Sequence, residues 1–410
     1  LVESRIGDPD LDFRVPTTIL RARCRVGHRY NTCPVNAPPE ALSPARGPDP
    51  STPRVVVAIS GGVDSSVAAL LLKRQGLEIE ALFMKNWDDD DEDGACAAER
   101  DVEDALQVCE TLDIPLNTVS FSSEYRDRVF DPMLSGYRSG QTPNPDVLCN
   151  REIKFRAFLD HALAGGAESV ATGHYARIAR RDGRLALLRA ADRNKDQSYF
   201  LYTLGQAELA RSRFPIGHLE KREVRDMARA AGFATHAKRD STGICFIGKR
   251  PFRRFLARYL PPSPGAIETE DGCVIGTHCG VCYYTLGQRQ GLGVGGVRGR
   301  GDSPWYVIDK DAARNVLVVA QDPAHPKLLS HAVAATDLAW VSGEPPPLPF
   351  ECTARTRYRQ ADQPCTIESI RAGTCRVAFA APQRAVTPGQ SLVFYAGDAC
   401  LGGGVIASAN

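Results

Sequence analysis

The sequence predicts an α/β protein: a parallel-sheet domain, then a small central domain and a C-terminal β-barrel. Three observations carry this. From Arg54 to about Thr172, short apolar runs of strand length alternate with helix-period runs, the pattern of strands joined by crossover helices. The first strand-like run ends in Ser60-Gly61-Gly62 and leads directly into an apolar helix. Beyond about Pro261 the chain turns rich in Gly and Pro, with short alternating runs that suit a barrel.

Each element follows from its residues. Val-Val-Val-Ala-Ile at 55–59 reads as a buried strand, 65–75 as a helix and 79–84 as a second strand. A helix is expected over 98–112, with Val102, Ala105, Leu106, Cys109 and Leu112 on one face. A strand at 116–121, a helix at 153–164 and a strand at 169–172 continue the alternation. Ligands of such a sheet bind at the carboxyl ends of its strands, where the Ser60–Ser66 turn lies. Asp182-Gly183 marks a hairpin turn between 176–181 and 184–189, and a helix at 221–231 stops at Gly232. Short strands are expected at 352–357, 365–370, 375–380 and 391–395, with a proline-rich connection at 344–349. The expected boundaries are 54–215, 216–322 and 323–410.

Residues 1–53 differ from the rest. Pro34, Pro38, Pro39, Pro44, Pro48, Pro50 and Pro53 crowd this segment, and no apolar periodicity is sustained, so it reads as disordered or as a non-native extension. A transit peptide is the alternative, against which Glu3, Asp8, Asp10 and Asp12 argue.

Composition narrows the function. A chain of 410 residues has room for two or three domains. Lys plus Arg number 50 against 49 Asp plus Glu, so any nucleic-acid contact has to come from local patches. No apolar run approaches a membrane span or a signal-peptide core. Thirteen scattered cysteines, an odd number, point to a cytoplasmic protein with reduced thiols, in which the cysteines that matter are catalytic or metal-bound.

The turn after the first strand is a phosphate-binding arrangement. Its glycines admit an anion to the backbone, and the helix N-terminus with the hydroxyls of Ser60, Ser65 and Ser66 supplies donors. It is not a Walker loop, because Asp64 stands where a lysine would be expected. Beside a polyphosphate, that carboxylate is tolerable through Mg²⁺ or backbone donors. The alternative is a plain glycine turn with Ser and Asp as helix caps. Ser60-Gly61-Gly62-Val63-Asp64-Ser65 resembles the PP-loop of ATP pyrophosphatases, which cleave ATP between the α- and β-phosphates.

Two further segments carry reactive residues. In Thr142-Pro143-Asn144-Pro145-Asp146-Val147-Leu148-Cys149-Asn150 a cysteine lies just ahead of the helix expected from 153, where a helix N-terminus would stabilise its thiolate. In Asp240-Ser241-Thr242-Gly243-Ile244-Cys245-Phe246-Ile247-Gly248 a cysteine lies in an apolar stretch bounded by glycines. Taken singly, either could be a small buried hydrophobe.

Together with 81–87 (Ala-Leu-Phe-Met-Lys-Asn-Trp), 171–176 (Ala-Thr-Gly-His-Tyr-Ala), 195–201 (Lys-Asp-Gln-Ser-Tyr-Phe-Leu), 283–293 and 357–360, these motifs resemble the tRNA-specific 2-thiouridylases. The resemblance runs from Arg54 to the C-terminus. It implies a PP-loop domain of the adenine nucleotide alpha hydrolase type and ATP-dependent replacement of the 2-oxygen of a wobble uridine by sulfur. Lysine, glutamate and glutamine tRNAs are the family's substrates. Carried over by position, Ala58, Ile59, Ser60, Gly61, Gly62, Val63, Asp64, Ser65, Met84 and Gly173 would bind ATP, with Mg²⁺ accompanying it. Cys149 would be the nucleophile and Cys245 the persulfide carrier, with a Cys149–Cys245 disulfide able to end a turnover. Asn144, Pro145 and Asp146 would meet the target base, Asp146 also as a proton acceptor. His174, Lys195, Asp196, Gln197, Arg357, Tyr358 and Gln390 would touch tRNA. The implied partners are tRNA and a persulfide donor, either a cysteine desulfurase or a relay protein, acting on a monomer.

Other features take plainer readings. Gly291-Leu292-Gly293-Val294-Gly295-Gly296 matches G-x-G-x-x-G but follows no good strand and opens no helix. The acidic run 88–93 reads as a solvated loop near the active-site rim. Cys279-Gly280-Val281-Cys282, near His278 and Cys273, has zinc-like spacing but no second pair, and no metal is assigned. Synthetases that use the same loop with ammonia or an amino acid need neither cysteine. A tRNA-binding module without chemistry would need neither the loop nor the cysteines. Deleting residues 1–53 should leave thiolation of tRNA unchanged, as measured by nucleoside mass spectrometry; a large loss would make the segment functional.

Overall fold

The computed structural model describes residues 54–87, 97–240, 252–295, 297, 299 and 301–410. The first part runs β1 (Arg54–Ile59), α1 (Val63–Arg74), β2 (Glu78–Lys85), α2 (Ala97–Leu112) and β3 (Leu116–Ser120). Then come α3 (Ser122–Tyr125), α4 (Asp131–Arg138), α5 (Pro145–Leu148), α6 (Phe158–Ala164) and β4 (Ser169–Ala171). The hairpin β5 (Ala176–Arg181) and β6 (Arg184–Arg189) follows, then α7 (Gln206–Ala210), β7 (Ser212–Arg213) and α8 (Lys221–Ala230).

Strands β3-β2-β1-β4-β7 form a parallel sheet in that order. The unbroken apolar run in β1 is explained by burial on both faces. Val55, Val57 and Ile59 enter one core with α1, α2 and α8. Val56 and Ala58 enter the opposite core with Leu82 and Met84 of β2 and the helices between β3 and β4. Chain order reverses at β1 and β4, so the turns after these two strands flank the switch point where ligands bind.

Three expectations change. Within α2, Leu106 is 41% exposed while Val108 is 1% exposed, because the buried stripe runs through 105, 108, 109 and 112. The helix expected from 153 begins at Pro145 and continues unbroken to Ala164, with π-helical geometry over Cys149–Ala157. Helix α8 buries Val224 and Ala228 in the first sheet's core rather than opening a separate body.

The central part holds α9 (Phe252–Ala257) and the strands β8 (Gly265–Thr269), β9 (Val274–His278), β10 (Tyr306–Asp311) and β11 (Val316–Ala320). They pair in the order β10-β11-β8-β9 around Ile267, Trp305, Val307, Leu317 and Val319. No helix among the described residues is long and apolar enough to cross a membrane.

The last part holds β12 (Leu329–Trp340), β13 (Phe350–Arg355), β14 (Gln363–Arg371), β15 (Thr374–Arg384), β16 (Ser391–Ala396) and β17 (Ala399–Ala409). The order β12-β15-β14-β13-β16-β17 closes on itself because β17 also pairs with β12. The Ala-rich β12 and the Gly-rich β17 lack β-branched patterning and were not foreseen, although they make the closure. Hairpin β5–β6 joins this barrel through Ala399↔Leu188 and Cys400↔Leu187, although the sequence places it inside the first domain.

Gln206 of α7 secures that junction. Its Oε1 accepts from Leu185 N at 2.9 Å, and its Nε2 donates to the carbonyls of Leu185 and Val341 at 2.8 and 2.7 Å. Gln206→Ala should lower the unfolding free energy by about 1–3 kcal/mol, the usual cost of stranding buried backbone groups. Urea denaturation measures this, and an unchanged midpoint would refute it.

Candidate active site

The turn after β1 is pinned from two sides. Gly61 has φ +66°, and a Cβ there would lie 2.1 Å from the Asp101 carbonyl oxygen of α2. Gly173, in the turn after β4, would place a Cβ 2.6 Å from Ser65 N. Only glycine fits at either point. The N-cap of α1 is Gly62, which brings no side-chain acceptor to the first-turn N–H groups. A helix start in that condition is suited to an anion. Ala58, Ile59, Val63 and Met84 are buried walls beside it.

The hydroxyls behave differently from expectation. Ser65 and Ser66 donate to the Gly62 carbonyl at 3.0 and 2.8 Å, and Ser65 Oγ accepts from Ser60 N at 3.2 Å. They brace the turn from inside, with Ser60 Oγ 3.2 Å from Ser65 Oγ, leaving backbone N–H groups as the turn's outward donors.

The sequence did not reveal the charges around Asp64. Lys221, the first residue of α8, donates to both Asp64 carboxylate oxygens at 2.7 Å, and the Tyr175 hydroxyl donates to Oδ1 at 2.9 Å. The same ammonium lies 2.7 Å from Asp240 Oδ1. Asp240 is also met by Lys195 at 2.7 Å and Arg225 at 3.1 Å. Burial alone would raise the Asp240 carboxyl, but the hydrogen bonds and charges of Lys195 and Lys221 prevail and hold it down to about 2. Lys238 reaches the Gly61 carbonyl at 2.8 Å and Asp101 at 2.7 Å, and also pairs with Asp104. Lys221 lies 157 residues beyond Asp64, so no local pattern could have revealed the pair.

These groups bear on magnesium. Asp64 is the turn's one carboxylate, and both its oxygens already accept hydrogen bonds. Among the described residues there is no cluster of three or more metal-ligating side chains.

Cys149 is 0% exposed and belongs to the same apolar core as Ala58 and Met84. It is the fifth residue of its helix, not its N-terminus. Asn144 is the N-cap, its Oδ1 accepting from Val147 N at 3.4 Å, and Pro145 takes the first helical position, which suits proline. Asp146 sits half-buried in the first turn. The approach to this helix is held by the other two parts of the chain. Lys310 of β10 donates to the Gly140 carbonyl at 2.8 Å, burial pushing its ammonium down to about 8 against the opposing Cys282 charge. Gln390 donates to the Thr142 carbonyl at 2.7 Å. The Cys245 segment, the acidic run 88–93 and Gly296 lie outside the described residues.

The residues expected to meet tRNA divide into two sets. His174 is buried between Phe155 and Phe214, its Nδ1 2.7 Å from Thr172 Oγ1. Burial, then the Lys154 charge, keeps it well below the usual histidine range and so neutral. Asp196 is also internal, accepting from Ala190 N and from the N and Oγ of Ser198. Both side chains are buried. Lys195, Gln197, Arg357, Tyr358 and Gln390 are partly exposed. Gln197 accepts from Tyr175 N at 2.9 Å, and Tyr358 packs on Phe200 at 4.4 Å between ring centroids. Arg357 donates to the Ala385 carbonyl and reaches Leu286 O at 3.4 Å.

Comparison with known proteins follows the same three parts. Residues 53–249 match the family described as tRNA methyl transferase HUP domain, 253–321 its PRC-barrel domain, and 330–406 an aminomethyltransferase beta-barrel domain. The chain is 60% identical over 357 residues to the tRNA-specific 2-thiouridylase MnmA of Methylococcus capsulatus, covering 86% of this chain and 96% of that one. It is 58% identical to the protein of the same name from Nitrosomonas eutropha, covering 86% and 98%. The Pseudomonas aeruginosa protein of that name is 56% identical, with 88% and 96% covered. With a glycine-pinned turn after β1, a buried cysteine in one of the cores that β1 enters and similarity along three successive parts, the chain belongs to the tRNA-specific 2-thiouridylase MnmA family.

Proposed function

We propose that this enzyme replaces the 2-oxygen of the wobble uridine in lysine, glutamate and glutamine tRNAs with sulfur, using ATP. The observation that carries the proposal is that Cys149 lies in the same apolar core as Ala58, which leads into the anion-binding turn, and Met84. The thiol and the strand that ends in the nucleotide turn are thus anchored in one core. Asn86, two residues past Met84, is buried with neither carboxamide atom paired among the described residues, a polar group that a nucleobase would satisfy.

A urea-like carbonyl is a poor electrophile, and oxide is a poor leaving group. Attack of the uridine 2-oxygen on the α-phosphate releases pyrophosphate and converts that oxygen into part of an AMP leaving group. The terminal sulfur of a Cys245 persulfide attacks C2 and expels AMP, leaving a disulfide between Cys245 and the base. Cys149 thiolate then attacks Cys245 Sγ, releasing 2-thiouridine and forming a Cys149–Cys245 disulfide, which an external dithiol reduces. In this scheme Asp146 accepts the uridine proton, while Asn144 and Pro145 border the base.

Ala58–Ser65, Met84 and Gly173 hold ATP, and magnesium would arrive with its phosphates. Lys195, Gln197, Arg357, Tyr358 and Gln390 face tRNA, and His174 and Asp196 act through the backbone they hold in place. An anticodon base has to leave its stack to enter such a site. The enzyme acts as a cytoplasmic monomer, receiving persulfide sulfur from a desulfurase or a relay protein.

Cys149→Ser and Cys245→Ser should each abolish 2-thiouridine formation with an unchanged circular dichroism spectrum. Mass spectrometry of tRNA nucleosides after incubation with ATP and a persulfide donor is the measurement. Substantial thiolation by either variant would sink the two-cysteine scheme. Failure of the wild-type chain to release one pyrophosphate per thiolated uridine would sink the activation step.

A further inference from the structure

The PP-loop carries a carboxylate where other nucleotide loops carry a lysine, and ATP brings about four negative charges to it. A cation has to be supplied from elsewhere. Among the described residues, the ammonium groups that reach the turn's own atoms are those of Lys221 and Lys238. Lys238 is committed, its charge shared between Asp101 and Asp104 while it also holds the Gly61 carbonyl. Lys221 is placed differently. Its side chain is 11% exposed, and Asp64, which it contacts at 2.7 Å, lies in the first turn of α1, where the anion belongs.

One of the Lys221 contacts is replaceable. An ammonium has three N–H groups, and here two point to Asp64 and one to Asp240. Asp240 would not be stranded by losing that contact, because Lys195 and Arg225 also bind it. The third N–H can therefore turn to a phosphate oxygen while Asp64 remains neutralised. Tyr175, donating to Asp64 Oδ1, keeps that carboxylate oriented during the exchange.

We propose that Lys221 is the phosphate-binding cation that the loop itself lacks, holding the pyrophosphate portion of ATP from the start of α8. The proposal rests on the reading of the loop as an ATP site. It makes Lys221 a binding residue for the part of the substrate that leaves, so its contribution vanishes for a nucleotide without β- and γ-phosphates.

Calorimetric titration of the full chain with ATP and separately with AMP, without tRNA, tests this. Lys221→Met should weaken ATP binding at least about tenfold, the scale of one charge-assisted hydrogen bond, and leave AMP binding within about twofold. Arg229→Met, which removes an exposed cation of the same helix that pairs with Asp226, should leave both nucleotides unaffected. Equal losses for ATP and AMP in Lys221→Met, or no loss for either, overturn the proposal. Should that variant fail to fold, Lys221→Arg, which keeps the cation, should retain the preference for ATP over AMP; parallel loss of both nucleotides overturns the proposal. A wild-type chain that binds no ATP removes the underlying reading as well, and is told apart from the other outcomes by that titration alone.

Discussion

One carboxylate organises the centre of the molecule. Asp64 lies at the start of α1 with an ammonium and a phenolic hydroxyl on its oxygens, and the ammonium belongs equally to Asp240. A half-buried charge has to be paired, and this pairing draws together four distant stretches: the turn after β1, the turn after β4, the start of α8, and Asp240 itself. Helix α8 lies on the first sheet for the same reason that its apolar face does. Its first side chain completes the loop, and Val224 and Ala228 complete the core beneath it.

The approach to Cys149 is constrained in a complementary way. The helix that carries it starts at a capped asparagine and a proline, so its first turn is well specified. The peptide just before that helix is gripped by Lys310 from the central sheet and Gln390 from the barrel. The two later parts of the chain thus do more than extend the surface. They fix the entry angle of the helix whose second turn holds the thiol, while Arg357 links the barrel to Leu286 of the central part.

What was legible in the sequence had local causes. The β1 run and its glycines announced strand, turn and helix because both-face burial and close backbone approach leave marks on consecutive residues. Pro143 and Pro145 were legible as rigid, but not as a helix start, so Cys149 was expected ahead of the helix and not in its second turn. Lys221 and Tyr175 were invisible because their partner lies more than a hundred residues away and nothing local requires them. His174 and Asp196 looked like surface contacts by motif, whereas packing against Phe155 and Phe214, and hydrogen bonds to Ala190 and Ser198, turn them inward.

The hairpin β5–β6 bears on how separable the parts are. It leaves the first sheet, pairs with β17 of the barrel and returns to α7, where Gln206 ties it to Val341. The boundary between first and last parts is therefore drawn across space and not along the chain. A cut in the peptide between the central sheet and β12 would break the backbone without setting the barrel loose. For the same reason, the barrel could not be exchanged with that of a distant relative unless the hairpin travelled with it.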